Sequence, residues 1–526
     1  MSRAGHAHAI DGATWQAQSC ASKRSRHFPP QPPRCSRRYF KAFGGEVRMK
    51  SLRLTCIIAM TLFTLAIPIA VSAQKHHQYK VVDVGTLGGP NSFHSGGAQI
   101  LNNRGTFVAF ANASTSNPNP GCFIPFNNPD CFVERPVVVH NGSVTELDVL
   151  PGGTNSQTDS ISASGLIDGW SENGLIDPLT GLPEGRAVLW TKDGKIIDLG
   201  TVPGGNESLA TAVNSRGQVV GFSNNDVPDP FSLVGFPTQT RAFLWQNEVI
   251  QDLGTLGGPD ALAAVVNQQG QVAGLSYTNS TPNQTGIPTL DPFLWQNGTM
   301  TDLGTLGGTI GFPNWLNNRG QVVGTSNLAG DATNHGFLWD RGTLTDLGTL
   351  GGDNSEADWI SDSGLVVGRA DVPGSLTHHG FLWRRGVMTD LGVIDGDACS
   401  TGNSVNSRGQ VVGDAGVCFV GGRAWLWENG GPMVDLNDLA LLGSGLHLQD
   451  ATEISERGEI VCTGVLPNGD QHAVLLVPVD GVENANSGAA APPSPAPRYV
   501  PSGTQRTPRS PWSNRYHIPG LQSPSR

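Results

Sequence analysis

Residues 302–347 read DLGTLGGTIGFPNWLNNRGQVVGTSNLAGDATNHGFLWDRGTLTDL, and the phrase that opens this stretch begins again at Asp346. Versions of Asp-Leu-Gly-Thr-Leu-Gly-Gly start at Asp83, Glu146, Asp198, Asp252, Asp302, Asp346, Asp390 and Asp435, at intervals of 63, 52, 54, 50, 44, 44 and 45 residues. A second phrase follows in each unit, such as Val-Asn-Ser-Arg-Gly-Gln-Val-Val-Gly at 213–221, and a third, Phe-Leu-Trp, closes it at 337–339 and 381–383. Self-similarity at this period marks a repeat architecture rather than several unrelated domains.

Each phrase has a local reading. Asn-x-x-Gly lies between two apolar stretches, as a short hairpin loop with a left-handed glycine should. Just before the turn an apolar residue stands in every copy (Leu101, Ile161, Val213, Val266, Leu316, Ile360, Val405, Ile454). The residue before that one varies: Ile100, Ser160, Ala212, Val265, Trp315, Trp359, Ser404 and Glu453. One fixed and one free side is the period-2 signature of a strand. Phe-Leu-Trp is separated from the next Asp-Leu-Gly by a turn such as Asp340-Arg341-Gly342, a second hairpin. Two successive hairpins predict a four-stranded meander, with strands A to D, in each unit.

The chain ends are permuted. Tyr79–Asp83 is a D strand with no A, B or C before it, whereas the last unit has A, B and C (473–477) and no D. The expected fold is all-β: a single β-propeller of eight four-stranded blades, closed by the N-terminal strand D completing the last blade. Closure in this way leaves no bare sheet edge.

These phrases resemble the HAF-type extracellular repeat of bacteria, named for a His-Ala-Phe triplet before Leu-Trp. Here the triplet reads His335-Gly336-Phe337, His379-Gly380-Phe381, Arg241-Ala242-Phe243 and His472-Ala473-Val474. The resemblance spans about 83–477 and implies an exported bacterial protein; it brings no activity and no catalytic residues with it.

The flanks fit that expectation. From Met49, a basic start (Lys50, Arg53) precedes an apolar run that ends in Val71-Ser72-Ala73, the pattern of a secretory signal peptide. The expected divisions are a basic, unperiodic extension at 1–48, read most economically as a start-site artefact; a signal peptide at 49–73; the propeller at 74–484; and a disordered Pro/Ser/Arg tail at 485–526. The destination is the periplasm, the cell surface or the medium, with no membrane span after signal cleavage. Cys122 with Cys131, and Cys399 with Cys418, read as local disulfides of an oxidising compartment, and Cys462 as a buried leftover. CxxC-type spacing is missing, so no zinc site is expected of these thiols.

Charge narrows the partners. The chain carries a net −11, but residues 74–483 hold 17 bases against 42 acids. So acidic a surface repels phosphate backbones, which argues against nucleic acid. It is compatible with calcium, although no calcium motif occurs. No G-x-S-x-G, H-E-x-x-H or P-loop is found either. The repeated Asp is expected to fix its turn, and the pair His378-His379 to be solvated in a B–C loop.

Function must then lie where units depart from the pattern. The B–C connections are long in the first four blades (about 112–135, 171–185, 224–240 and 276–291) and should wall one sector of one face. Candidate binding residues there are Phe123, Phe126, Glu172, Asp177, Asp226, Phe231 and Tyr277. Trp315 and Trp359 join them near the axis, either as a stacking platform or as blade packing. The expectation is a monomeric, non-enzymatic protein that binds an extracellular polysaccharide, cell-surface component or protein, without catalytic, cofactor or metal residues. A propeller enzyme acting on glycans or lactones, and a structural surface protein, are the alternatives.

Overall fold

The computed structural model describes residues 76–479, apart from 97, 123–129, 375–376 and 443–444. The proposed signal peptide, the extension before it and the C-terminal tail lie outside the described residues.

Eight four-stranded antiparallel units follow one another along the chain. Blades 1 to 7 occupy 88–146, 156–198, 208–252, 261–302, 307–346, 355–390 and 399–435. Blade 8 is built from His447–Ile454, Ile460–Val465 and Gln471–Val479, and its fourth strand is Gln78–Asp83. Gln78 pairs with Val479 and Asp83 with Val474, so the N-terminus supplies strand D to the last blade. The ring then closes from blade 8 onto blade 1: Asn91 Oδ1 accepts from Gln471 N at 2.8 Å, and Ser92 Oγ from Ala473 N at 3.0 Å. The chain is an eight-bladed β-propeller. A single parallel bridge, Leu290 to Ile310, connects blades 4 and 5.

The repeated phrases mark recurrent packing problems. The fixed apolar residue of strand A is buried in all eight blades. The last glycine of Gln-Val-Val-Gly lies opposite the ring of strand C, as in Gly221 to Phe243 and Gly413 to Trp425. A Cβ on Gly413 would lie 1.8 Å from Thr401 O and 2.8 Å from the Trp425 ring. Blade 8 has Cys462 at this position, facing Val474 instead of an aromatic ring. That swap gives the unpaired thiol a place in the core.

Strand A carries a feature the alternation did not reveal. A β-bulge interrupts its pairing with strand B at the same point of blades 2 to 8, for example between Ala210 and Ala212 and between Ala357 and Trp359. The extra residue is turned out of the ladder. In three blades it bonds to a backbone carbonyl of the next blade: Thr211 Oγ1 donates to Ala263 O at 2.9 Å, Asn314 Nδ2 to Ala357 O at 2.9 Å, and Asn403 Nδ2 to Ala451 O at 3.1 Å.

The hairpin Asn also does more than shape its turn. Asn214 Oδ1 accepts from Arg216 N and Gln218 N, which is the expected Asx-type role. Its Nδ2 donates to Asn267 O of the next blade at 2.9 Å; Asn267 likewise reaches Asn317 O, and Asn317 reaches Ser361 O. The turn phrase is therefore also a strut between blades.

Candidate functional site: the propeller axis and the loop face

The variable strand-A residues meet at the axis. Together with the A–B turns they enclose a cavity of about 200 Å³. Across one side of it Trp315 and Trp359, from consecutive blades, stack with ring centres 3.6 Å apart and planes 18° from parallel. Across the other side Glu453 is buried, its Oε2 accepting from Ile100 N (2.7 Å) and Leu101 N (3.1 Å) of blade 1. Burial pushes this carboxyl up to about 8 against those two hydrogen bonds.

Further back along the same strands, towards the D–A and B–C connections, the ring divides into two chemical halves. The strand-B residue after the glycine position is Phe110, Trp170, Phe222 and Leu275 in blades 1 to 4. In blades 5 to 8 it is Thr325, Arg369, Asp414 and Thr463. Strand A adds Glu356, Asp358, Asn403 and Asp450 to the polar half. Arg369 pairs with Glu356 at 2.8 Å, and Asn403 Nδ2 donates to Asp450 Oδ1 at 2.9 Å and to Asp414 Oδ1 at 3.3 Å. These side chains are partly exposed, so they line a pit rather than a sealed core. Burial pushes Asp358 above the ordinary carboxylate range, helped by Glu356 and opposed by Arg369. Asp450 is raised by burial and by the Asp414 charge, and Asp414 by burial against the Asn403 bond and Arg369. Desolvated acids crowded together keep protons that free carboxyls would lose.

The long-loop sector differs from expectation. Phe123 and Phe126 lie outside the described residues. Glu172 is buried: its Oε2 accepts from Thr154 N and Asn155 N, and its Oε1 from Asn119 Nδ2 at 2.6 Å. Asp177 is buried too, holding Leu179 N, Thr180 Oγ1 and Asn206 Nδ2. Tyr277 is fully covered and donates to Phe231 O at 3.0 Å, while Phe231 packs half-buried against the core. Glu172, Asp177, Phe231 and Tyr277 are thus loop clamps, because otherwise unsatisfied N–H groups and apolar faces claim them first. Asp226 alone of the carboxylates proposed there is well exposed. Sequence reasoning missed Asp260, which is fully buried and pins the blade-3 loop through Leu233 N (2.7 Å) and Thr240 N (3.0 Å). Burial pushes its carboxyl up to about 8. The tips of these loops instead present exposed aliphatics, Leu175, Ile176 and Leu179 in blade 2 and Val227 in blade 3.

The repeated Asp shapes its turn, as Asp302 Oδ1 accepting from Gly304 N at 2.8 Å illustrates. It also meets the His of the triplet: His335 Nδ1 bonds Asp346 at 2.8 Å and His379 bonds Asp390 at 2.9 Å. Both expected disulfides are present, Cys122–Cys131 and Cys399–Cys418. His378 is not a solvated loop residue: it opens strand C of blade 6 and is buried against Cys399. The disulfides are compatible with an extracellular or periplasmic protein, and among the described residues no helix is long and apolar enough to cross a membrane.

No protein-family model matches the chain, and no curated protein does. Solved structures with a similar course include the β-propeller domain of the Trilobed protease from Pyrococcus furiosus, 8% identical over 61% of this chain and 93% of that one, with a TM-score of 0.37. Porphyromonas gingivalis dipeptidyl peptidase 4 is 10% identical over 71% of this chain and 51% of that one (TM-score 0.39). TolB from Acinetobacter baumannii is 12% identical over 61% and 79% (TM-score 0.28). At such scores the blade count rests on the strand pairing given above.

Proposed function

We propose that the protein is an exported, non-enzymatic binding propeller for a polyhydroxylated polymer, such as an extracellular polysaccharide. The ligand lies on the face that carries the long loops of blades 1 to 4 and reaches into the polar pit of blades 6 to 8. One observation supports this above others: residues that break the repeat converge. Arg369 and Asp414 occupy the strand-B position that is Phe, Trp, Leu or Thr in the other blades, and Asp450 a strand-A position that is Leu in blades 3 and 4 and Phe in blade 5; with Asp358 they come together near the axis. Half-buried charges are costly unless paired, and here Glu356, Asp358 and Asp414 act on one guanidinium, with Asp450 beside Asp414. Protonated carboxyls, an amide and threonine hydroxyls supply donors and acceptors suited to sugar hydroxyls. The resemblance to HAF-type repeats supports the exported location.

The test is a polysaccharide and glycan binding screen with the wild type and with Asp358→Asn/Asp450→Asn. Saturable binding weakened about tenfold or more by the double substitution is expected, a loss of ~1.4 kcal/mol. A second reading, glycan hydrolysis, is favoured by the raised carboxyls, since a general acid needs such a shift. Release of reducing ends by the wild type, abolished in the double variant, would replace the binding reading with it. Neither binding nor turnover across the screen would sink both and leave a structural role.

A further inference from the structure

Between blades 6 and 7 the usual blade-to-blade clamp has been rebuilt in sulfur. At five other interfaces a side-chain oxygen accepts from a backbone N–H of the preceding blade's strand C. Asn91 takes Gln471 N, Asn155 takes Glu134 N, Glu207 takes Gly185 N, Asp260 takes Thr240 N and Asn354 takes Asn334 N. At this interface the acceptor is Cys399 Sγ, 3.3 Å from His378 N. An oxygen would serve the architecture equally well, so the sulfur invites a chemical reason.

The surroundings offer one. His378 Nδ1 lies 3.5 Å from Cys399 Sγ, and the ligand atoms of His378, Cys399 and Cys418 all fall within 4.8 Å of one another. No other group of His, Cys, Asp and Glu among the described residues gathers in this way. The Phe419 ring closes over the group, 4.8 Å from the His378 ring and 5.3 Å from the Arg369 guanidinium. Cys122–Cys131, the other disulfide, has no such companions among the described residues.

We propose that His378, Cys399 and Cys418 form a redox-gated site for copper(I), closed while the disulfide is intact and opened by a dithiol reductant. The reductant's two thiols become its own disulfide, and their two electrons convert the Cys399–Cys418 bond into two thiols. Binding of the ion then displaces one proton from each thiol to solvent. Two thiolates and an imidazole are soft ligands suited to copper(I). Zinc, which takes four ligands in structural sites, finds no fourth side chain in this group. The copper–dithiolate unit carries one negative charge, which Arg369 beside it balances.

The experiment uses the full chain carrying Cys20→Ser, Cys35→Ser, Cys56→Ser, Cys122→Ser and Cys131→Ser, which removes the other local pair and the three cysteines that precede residue 74. It is reduced with dithiothreitol, desalted without oxygen, and titrated with copper(I) buffered by a coloured chelator. One equivalent should be withdrawn from the chelator by the reduced protein, and at least tenfold less tightly held by the oxidised protein. His378→Gln keeps the disulfide; if its oxidised form melts like the parent, its reduced form should bind copper about tenfold or more weakly, the scale of a lost ligand contact. X-ray absorption of the loaded protein should show two sulfurs and one nitrogen. Undiminished uptake in Cys418→Ser or His378→Gln, equal uptake by the oxidised chain, or none by the reduced chain overturns the proposal.

Discussion

His472 Nδ1 donates to Asp83 Oδ1 at 2.8 Å, joining two residues 389 positions apart in the chain. This is the same triplet-to-phrase pair seen within blades 5 and 6, with one difference. In those blades it connects neighbouring strands of one hairpin, and in blade 8 it holds the N-terminal strand that closes the ring.

His472→Ala should therefore behave differently from His335→Ala. As a partly exposed ion pair each contributes about 0–1 kcal/mol, so the two variants should lose similar small amounts in thermal melts. In His472→Ala, however, protease should cut near residues 76–84 faster than in the parent. Equal cleavage in both variants would show that the pair has no special part in closure.

The same pair gives a pH dependence. Burial works to raise the Asp83 carboxyl, but the hydrogen bonds from His472 and Gly85 and the His472 charge outweigh it, and the net shift is downward. A depressed carboxyl stabilises above its unfolded value, about 3.9, and this contribution disappears as pH falls through the folded value. Release of the closing strand should thus be promoted by acid, below about pH 4. Protease sensitivity of residues 76–84 that is unchanged between pH 6 and pH 3 would contradict this.

Glu453 should show the opposite sign. Its carboxyl is raised to about 8 in the fold against about 4.3 when unfolded. The native state therefore holds the extra proton, and stability falls as pH rises between these values. Glu453→Gln retains a carbonyl oxygen for Ile100 N and Leu101 N but cannot ionise. Urea unfolding at pH 9 should find the variant gaining on the parent by on the order of 2–4 kcal/mol relative to pH 5. A pH-independent difference between the two would show that Glu453 is solvated.

Trp315 and Trp359 should be coupled. A double-mutant cycle on Trp315→Leu and Trp359→Leu should give an interaction of about 0.5–1.5 kcal/mol. The near-ultraviolet dichroism of the stacked indoles should disappear in either single variant. Strict additivity would mean that the two rings serve only their own blades.

Cys462 should be silent in the folded chain. Burial, then the Asp450 charge, pushes its thiol well above the ordinary range. In a chain starting at Gln74, which lacks Cys20, Cys35 and Cys56, a thiol reagent at pH 8 should label nothing until denaturant is added, and then one group. Rapid labelling of the native chain would place this thiol at the surface.

How much was legible before the fold was known depends on how local each cause is. The strands, turns and blade count follow from phrases whose physics lies within a few residues: a left-handed glycine, an Asx turn, an apolar alternation. The permuted ends even pointed to the closing strand. The bulge in strand A was invisible, because inserting one residue does not disturb the apolar signature that Leu316 or Ile360 carries. The candidate loop residues were harder still. Glu172 and Asp177 look available in a polar insertion, but they accept from Asn119 Nδ2, Thr154 N and Asn206 Nδ2, which lie 18 to 53 residues away in sequence.

By itself, then, the sequence determined an eight-fold repeat of four-stranded units, its mode of closure and its two disulfides, since each rests on short-range pattern or on spacing along the chain. Only the tertiary structure decided where Arg369, Asp358, Asp414 and Asp450 meet, and that His378 rests on Cys399. Those residues come from different strands and different blades, and only the circular stacking of blades brings their side chains together.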